Sequence, residues 1–228
     1  MKRSTALLFA LAVTAGSASA SLLTWQTEVN TGATPSATVF TPTLGSSPAV
    51  VNVGNLSGDR SFEFIYNAAA GGASQALIGT QAGVSGAQGL KANQWNNTGM
   101  YGMTDFGVAD YTSTIPALVN QDVHAVYTSD GVDTKLYLNG SLAYTFAGVD
   151  LTITGLNALA AASNGTQTAF FDNLLGTVLG FASYDTALSP AEISVHYNSF
   201  AGIPEPGTGA LALAAAGLAL SARRRRTA

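Results

Sequence analysis

The sequence contains no cysteine and only two histidines, His124 and His196, among its 228 residues. Without cysteine the chain has no disulfides, no thiolate nucleophile, no Cys-ligated zinc and no iron–sulfur cluster. Two histidines leave little room for a His-rich metal site. Charged residues make up 10% of the chain, against about 25% in an average soluble protein. The length fits one domain, with room for segments that are removed during processing.

Several catalytic motifs are also missing from the sequence. It contains no Gly-x-Ser-x-Gly elbow, HExxH motif, Walker A loop, dinucleotide fingerprint or EF-hand loop. Glycosidases need two carboxylates at a set separation, but no glutamate here is followed two residues later by an acid. Glu63 could be a buried acid, although a solvent-facing or hydrogen-bonded strand residue is expected. We therefore assign no catalytic residue and predict that the protein is not an enzyme.

Glycine is abundant, with 25 residues, and short strand-like runs alternate with Gly, Asn, Asp and Ser clusters. In residues 61–66, Phe62, Phe64 and Tyr66 fall on one face of a strand. Asn139-Gly140 supplies the two positive-φ residues of a type I′ hairpin between two β-rich segments. Further strands are predicted over residues 49–53, 75–80, 88–95, 101–112, 122–128 and 174–184.

One helix is predicted, over residues 190–199. Ser189-Pro190-Ala191-Glu192 forms a capping box with proline at the first helical position. His196 falls on this helix, where it packs or faces solvent, and His124 falls on a strand without a signature around it. Many strands, regular turns and one short C-terminal helix predict an all-β fold, an antiparallel β-sandwich.

Two stretches resemble the laminin-G-like, concanavalin A-like jelly-roll family. The first is Asp-Thr-Lys-Leu-Tyr-Leu-Asn-Gly at residues 133–140. The second, residues 179–193, places Tyr-Asp-x-x-Leu-Ser-x-x-Glu-Ile between a strand and a helix. The resemblance implies a jelly roll over about residues 30–200. These motifs are structural, so they specify the fold better than the ligand.

Residues 1–20 read as a secretory signal peptide. Lys2 and Arg3 precede an apolar run at residues 6–15, and Ala18-Ser19-Ala20 supplies the small residues of a cleavage site. We predict cleavage after Ala20. The alternative is a buried N-terminal helix.

The C-terminal residues 203–228 have a three-part pattern. Pro204, Glu205 and Pro206 precede an uncharged segment at 207–222, and four arginines follow at 223–226. The segment is slightly shorter than the roughly 20 residues of a transmembrane helix, and the arginines would hold its end in the cytoplasm. The pattern resembles the PEP-CTERM sorting signal of Gram-negative bacteria. That resemblance implies processing by the membrane enzyme exosortase and an association with extracellular polysaccharide.

Residues 21–202 therefore form the predicted jelly-roll domain, and this domain is acidic. It contains three cationic and twelve anionic side chains, a formal net charge of −9. Such a charge repels phosphate backbones and argues against nucleic acid as a partner. The unpaired carboxylates make calcium a candidate ligand.

The candidate ligand-binding residues are Trp95, Asn96, Asn97, Tyr101 and Asp105. Sugars bind by stacking on aromatic faces and by hydrogen bonds to amides and carboxylates. Trp95 and Tyr101 would stack, and the Asn and Asp side chains would bind hydroxyls or calcium. The alternative is a turn rich in Asn and Gly beside a core tryptophan.

Together these observations predict an exported cell-surface or matrix module that is carbohydrate-binding or adhesive. Two alternatives remain. One is a glycoside hydrolase or lyase on the same fold, which would need a carboxylate pair that the spacing does not reveal. The other is a structural, protein-binding matrix component.

Overall fold

The computed structural model of the protein describes residues 18–45, 47–55, 58–81 and 87–202. The predicted sorting motif Pro204, Glu205 and Pro206, the segment 207–222 and residues 1–17 lie outside this range. Within it the elements are, in chain order, α1 (Ala18–Val29), β1 (Ala37–Val39), β2 (Thr43–Leu44), β3 (Ala49–Asn52), β4 (Arg60–Ala68), β5 (Gln75–Gly79), β6 (Gln88–Asn93), β7 (Met100–Asp105), β8 (Ala109–Pro116), β9 (Asp122–Ser129), β10 (Thr134–Leu138), β11 (Ser141–Phe146), β12 (Leu156–Leu159), β13 (Ala162–Ser163), β14 (Phe170–Phe171), β15 (Gly176–Tyr184) and α2 (Pro190–Ala201).

The strands form two large antiparallel sheets and one small one. The seven-stranded sheet has the order β1-β15-β4-β9-β10-β11, and β2 also pairs with β15. The six-stranded sheet has the order β3-β12-β5-β6-β7-β8. Strands β13 and β14 pair separately. The predicted antiparallel β-sandwich is confirmed, and β15 lies inside its sheet, as expected for residues 174–184.

The main core lies between the two large sheets. Every second residue of a strand points to the same face of its sheet, so alternate side chains fill this core. Phe62, Phe64 and Tyr66 of β4 are buried in this core, as the pattern predicts. The six-stranded sheet contributes Leu90 and Met103, among others. Burial of these side chains from both sheets supplies the apolar area that stabilises the sandwich.

The two helices cover the outer face of the seven-stranded sheet. Trp25 of α1 and Ile193 of α2 pack there against Ile65 of β4 and Ala182 of β15. A Cβ at Gly180 would lie 2.3 Å from Cζ3 of Trp25, so this close approach requires glycine. Helix α1 is thus present in addition to the predicted helix at residues 190–199.

Two local predictions are confirmed in detail. Ser189 caps α2, because its hydroxyl accepts from the Glu192 N–H at 3.3 Å while Glu192 accepts from the Ser189 N–H at 2.8 Å. Asn139 and Gly140 have φ angles of 49° and 79° at the β10–β11 turn. Neither of the two described helices is long and apolar enough to span a bilayer.

Candidate functional site

The outer face of the six-stranded sheet presents a buried ion pair. Leu90 and Ala92 of β6 point into the core, so Lys91 between them points the opposite way. Lys91 is 0% exposed, and its Nζ pairs with Asp172 and donates to Ser74 Oγ at 3.1 Å. Burial lowers the pKa of Lys91 and outweighs the opposite effect of the nearby Asp172 and Asp110 carboxylates.

A cavity of about 200 Å³ opens beside this ion pair. We call it the Trp95 cavity, and its lining residues are Lys91, Trp95, Thr104, Phe106, Asp110, Phe171 and Asp172. Trp95 remains 55% exposed, and Phe171 meets Phe106 edge to face with ring centroids 5.7 Å apart. The cavity thus combines an accessible indole with a supported aromatic wall.

Internal hydrogen bonds hold the polar side chains of the Trp95 cavity. Asp110 Oδ1 accepts from Thr104 Oγ1 at 2.8 Å and from Gln94 Nε2 at 2.9 Å. Gln94 is buried, and its Nε2 also donates to the backbone oxygen of Met103 at 2.9 Å. Asp110 itself is exposed. Its carboxylate is therefore fixed in position but accessible to hydroxyl donors.

A short β14–β15 connection brings Asp172 to the cavity. Asp172 has a left-handed backbone with φ of 52°, and its carbonyl accepts from the Ala76 N–H at 2.7 Å. Such a conformation is uncommon for a residue other than glycine. Here the ion pair with Lys91 and the hydrogen bond from the Ala76 N–H hold Asp172 in this conformation.

The sequence-predicted residues separate in the structure. Trp95 lines the Trp95 cavity, while Asn96 and Asn97 occupy the following exposed turn with φ angles of 66° and 55°. Asn97 lines a different cavity of about 280 Å³, together with Gln75 and Asn93. The amides of Gln75 and Asn93 are engaged in hydrogen bonds to the loop backbone. This second cavity is accordingly walled mainly by small and apolar groups.

Tyr101 and Asp105 do not join Trp95. The prediction that Tyr101 stacks on a ligand is wrong, because Tyr101 points into the core, is 0% exposed and shares a hydrogen bond with the Tyr66 hydroxyl. Asp105 is half-buried and accepts from the Tyr111 hydroxyl at 3.4 Å. Across the described ranges, no three His, Asp or Glu side chains gather as metal ligands. The described residues therefore contain no cluster of ligands that supports the calcium hypothesis.

Sequence reasoning missed most of the cavity wall. The sequence analysis does not place Lys91, Phe106, Phe171 or Asp172 at the candidate site. Phe171 and Asp172 are far from Trp95 in the chain, and only the sheet topology brings them together. No local motif marks them.

A second group of polar side chains is buried under α1 and α2, around Glu63. Glu63 Oε1 accepts from Trp25 Nε1 at 2.6 Å and lies 2.7 Å from His124 Nε2. Glu63 Oε2 accepts from the Tyr184 hydroxyl at 2.9 Å and lies 3.0 Å from His196 Nδ1. Glu63 is therefore the buried acid that the sequence allowed as an alternative, and it is hydrogen-bonded rather than solvent-facing.

The histidines determine the charge state of this group. Burial by itself raises the pKa of Glu63, but hydrogen bonds and charges from His124 and His196 lower it far below its ordinary value. Burial lowers the pKa of His196, yet the Glu63 carboxylate raises it overall. An ionised Glu63 accepts only, so all four partners act as donors. The group joins both helices to the sheet and is closed to a ligand.

Comparison with known families agrees with this architecture. The family model described as "Concanavalin A-like lectin/glucanases superfamily" matches residues 16–194. The chain belongs to this superfamily. A search of curated proteins gives no match.

Solved structures share the fold at low sequence identity. NanB sialidase from Streptococcus pneumoniae has a TM-score of 0.54 at 17% identity, over 70% of this chain and 28% of that one. Trypanosoma rangeli sialidase has a TM-score of 0.51 at 14% identity, over 72% and 27%. Domain 4 of the Geobacillus stearothermophilus arabinanase AbnA, in complex with arabinotriose, has a TM-score of 0.51 at 13% identity, over 70% and 87%. The superfamily member described here spans just over a quarter of each sialidase.

Proposed function

We propose that this protein is a carbohydrate-binding module that holds a sugar in the Trp95 cavity. The observation that carries the proposal is a half-exposed indole beside fixed carboxylates. Sugar rings present apolar C–H faces that pack on aromatic rings and hydroxyls that donate to carboxylates. Trp95 offers the ring, while Asp110 and Thr104 offer polar atoms held by their own hydrogen bonds.

The size of the cavity supports contact with one sugar unit at a time. Its volume of about 200 Å³ is below the roughly 300–1,000 Å³ of sites that enclose a drug-sized ligand. A longer glycan would therefore lie mostly across the surface, with one ring against Trp95. The arabinanase domain in complex with arabinotriose supports the proposal, because it shares the fold and binds a sugar.

We propose binding without catalysis. The Trp95 cavity contains two carboxylates, Asp110 and Asp172, which is the feature that would favour a glycosidase. However, Lys91 pairs with Asp172, and Thr104 and Gln94 both donate to Asp110. A glycosidase needs two carboxyl groups that are free to act on the scissile bond, whereas the Asp172 carboxylate here is held by Lys91.

A Trp95→Ala variant tests the binding proposal. Removing the indole should weaken retention of the bound polysaccharide at least tenfold, about 1.4 kcal/mol, in affinity electrophoresis or calorimetry against polysaccharide of the producing cell. The fold should persist because Trp95 is more than half exposed. The matched control is Leu142→Ala, equally exposed at 55% but on β11 of the other sheet, which should bind like wild type.

Two results would contradict the binding proposal. Equal binding by Trp95→Ala and wild type would exclude the Trp95 cavity as the sugar site. Stable capture of a protein partner with no sugar retention would favour the structural, protein-binding alternative. Release of reducing ends from a bound polysaccharide would instead favour an enzyme.

We also propose that the protein is exported and sorted through its C-terminal segment, with extracellular polysaccharide as its partner. The signal-like residues 1–20 and the Pro204-Glu205-Pro206 pattern support this. Mass spectrometry of the protein from its native host should find an N-terminus at Ser21 and a C-terminus near Pro206. Secreted protein that keeps the arginines at 223–226 would contradict exosortase-type processing.

A further inference from the structure

We infer that the Trp95 cavity selects uncharged sugars and rejects acidic ones such as sialic or uronic acids; this rests on the proposed function. Acidic sugars need a cation or several free N–H donors for their carboxylate. The charges of the cavity decide whether it provides them.

Lys91 is the one cationic side chain among the lining residues. Its ammonium group already has partners within the protein. Its Nζ pairs with Asp172, donates to Ser74 Oγ and lies 5.3 Å from the centre of the Phe106 ring. The side chain is only 1% exposed. A sugar carboxylate would have to displace Asp172 from a buried lysine, which would leave Asp172 unpaired.

Asp110 then gives the cavity a net negative charge. The charges of Lys91 and Asp172 cancel, and Asp110 adds an exposed carboxylate to the lining. An acidic sugar stacked on Trp95 would bring a second negative charge next to it, and like charges that are close together repel strongly outside bulk water.

The rest of the domain offers no compensating cation. Residues 21–202 contain just two others, Arg60 and Lys135. Arg60 is buried and donates to the Gly58 carbonyl, and Lys135 pairs with Asp130 at 3.0 Å on the other sheet. With a formal charge of −9, the domain also repels anionic polymers at a distance. The fold likeness to sialidases alone would suggest an acidic sugar, whereas these charges favour a neutral one.

Pairs of one neutral and one acidic glycan test the inference on the purified protein. The probes are methyl-esterified and de-esterified homogalacturonan, lactose and sialyllactose, and arabinotriose as a further neutral glycan. We expect a neutral probe to bind at least tenfold more tightly than its acidic partner in 0.15 M salt, with binding lost in Trp95→Ala. Asp110→Asn should raise the ratio of acidic to neutral affinity at least threefold. Asp185→Asn, which removes an exposed charge outside the cavity, should leave the ratio unchanged.

The outcomes separate the inference from the proposed function. An acidic glycan that binds as tightly as its neutral partner, and depends on Trp95, overturns the inference while the sugar site stands. An unchanged ratio in Asp110→Asn also contradicts it. If neither class binds, or if binding does not depend on Trp95, the proposed function fails and the inference fails with it.

Discussion

The carboxylate of Glu63 is buried between the seven-stranded sheet and the two helices. Four side chains form hydrogen bonds to it and so offset the cost of burying its charge. Trp25 and Tyr184 donate one hydrogen bond each, and His124 and His196 donate the other two. A buried charge is tolerated when it is paired and its lone pairs are satisfied, and it is costly when a partner is lost. The residue is thus a structural anchor whose contribution depends on all four donors together.

Replacing Glu63 with glutamine should destabilise the protein strongly. The amide has nearly the same shape, but its NH₂ group faces donors and it cannot neutralise a protonated histidine. Breaking a buried ion pair by removing one partner costs about 3–5 kcal/mol. Urea unfolding at pH 6 should show a loss of this size. The control, Asp59→Asn, removes an exposed carboxylate just before the same strand and should change stability by less than about 0.5 kcal/mol.

The loss in Glu63→Gln should also depend on pH. The folded pKa of Glu63 is depressed below its ordinary value of 4.5. Its ionised form therefore stabilises the protein fully above pH 4.5, and the stabilisation is lost as pH falls through the folded pKa. The raised pKa of His196 acts in the other direction, since its contribution is lost as pH rises above its ordinary 6.5. A stability difference that grows toward pH 3 would contradict this assignment.

Sequence reasoning at single residues expected both Trp95 and Tyr101 to be accessible to a ligand, but only Trp95 is exposed. Alternation shows which strand residues share a face, but not whether that face meets the core or the solvent. On β7, Tyr101 and Met103 share the core face. Trp95 lies in the turn before the strand, where no partner sheet covers it. The distinction depends on the second sheet, which the local pattern does not contain.

Elements formed by local chemistry were the predictable ones. The α2 capping box and the Asn139-Gly140 turn depend on contacts within a few residues, so their sequences determine their geometry. Helix α1 depends on distant partners instead. Trp25 needs the carboxylate of Glu63 and the missing side chain of Gly180, 155 positions farther along. Its sequence also continues directly from the signal-like residues, so it gave no separate helix signal.

The wall of the Trp95 cavity was also not predictable from local sequence, because part of it comes from strands that are distant in the chain. β6 and β7 are neighbours in sequence, and the run around Trp95 could be recognised as their connection. Phe171 and Asp172 reach the cavity through the β13–β14 pair and the end of β14. Those strands have two residues each, which is too short for any periodic pattern to emerge.

At the scale of the whole molecule, the predicted signal-peptide cleavage site falls inside helix α1. Cleavage after Ala20 would remove the first three residues of α1 and leave residues 21–29, including Trp25. The buried indole would thus remain with Glu63 in the processed protein. A start at Asn30 would remove it and expose Ile65 and Ala182 of the outer sheet face, which pack in the same cluster.

We therefore expect a chain that begins at Ser21 to have the same free energy of unfolding in urea as the full-length protein. A chain that begins at Asn30 should lose at least about 3 kcal/mol of that free energy, which is the cost of deleting a buried tryptophan. Trp25 and Trp95 are the only tryptophans, so the Asn30 chain reports Trp95 fluorescence alone and should lack the buried-indole emission. Trp25→Phe is the intermediate case, since it keeps an aromatic ring but leaves one Glu63 lone pair unsatisfied. Equal stability of the Ser21 and Asn30 chains would show that α1 does not hold the fold together.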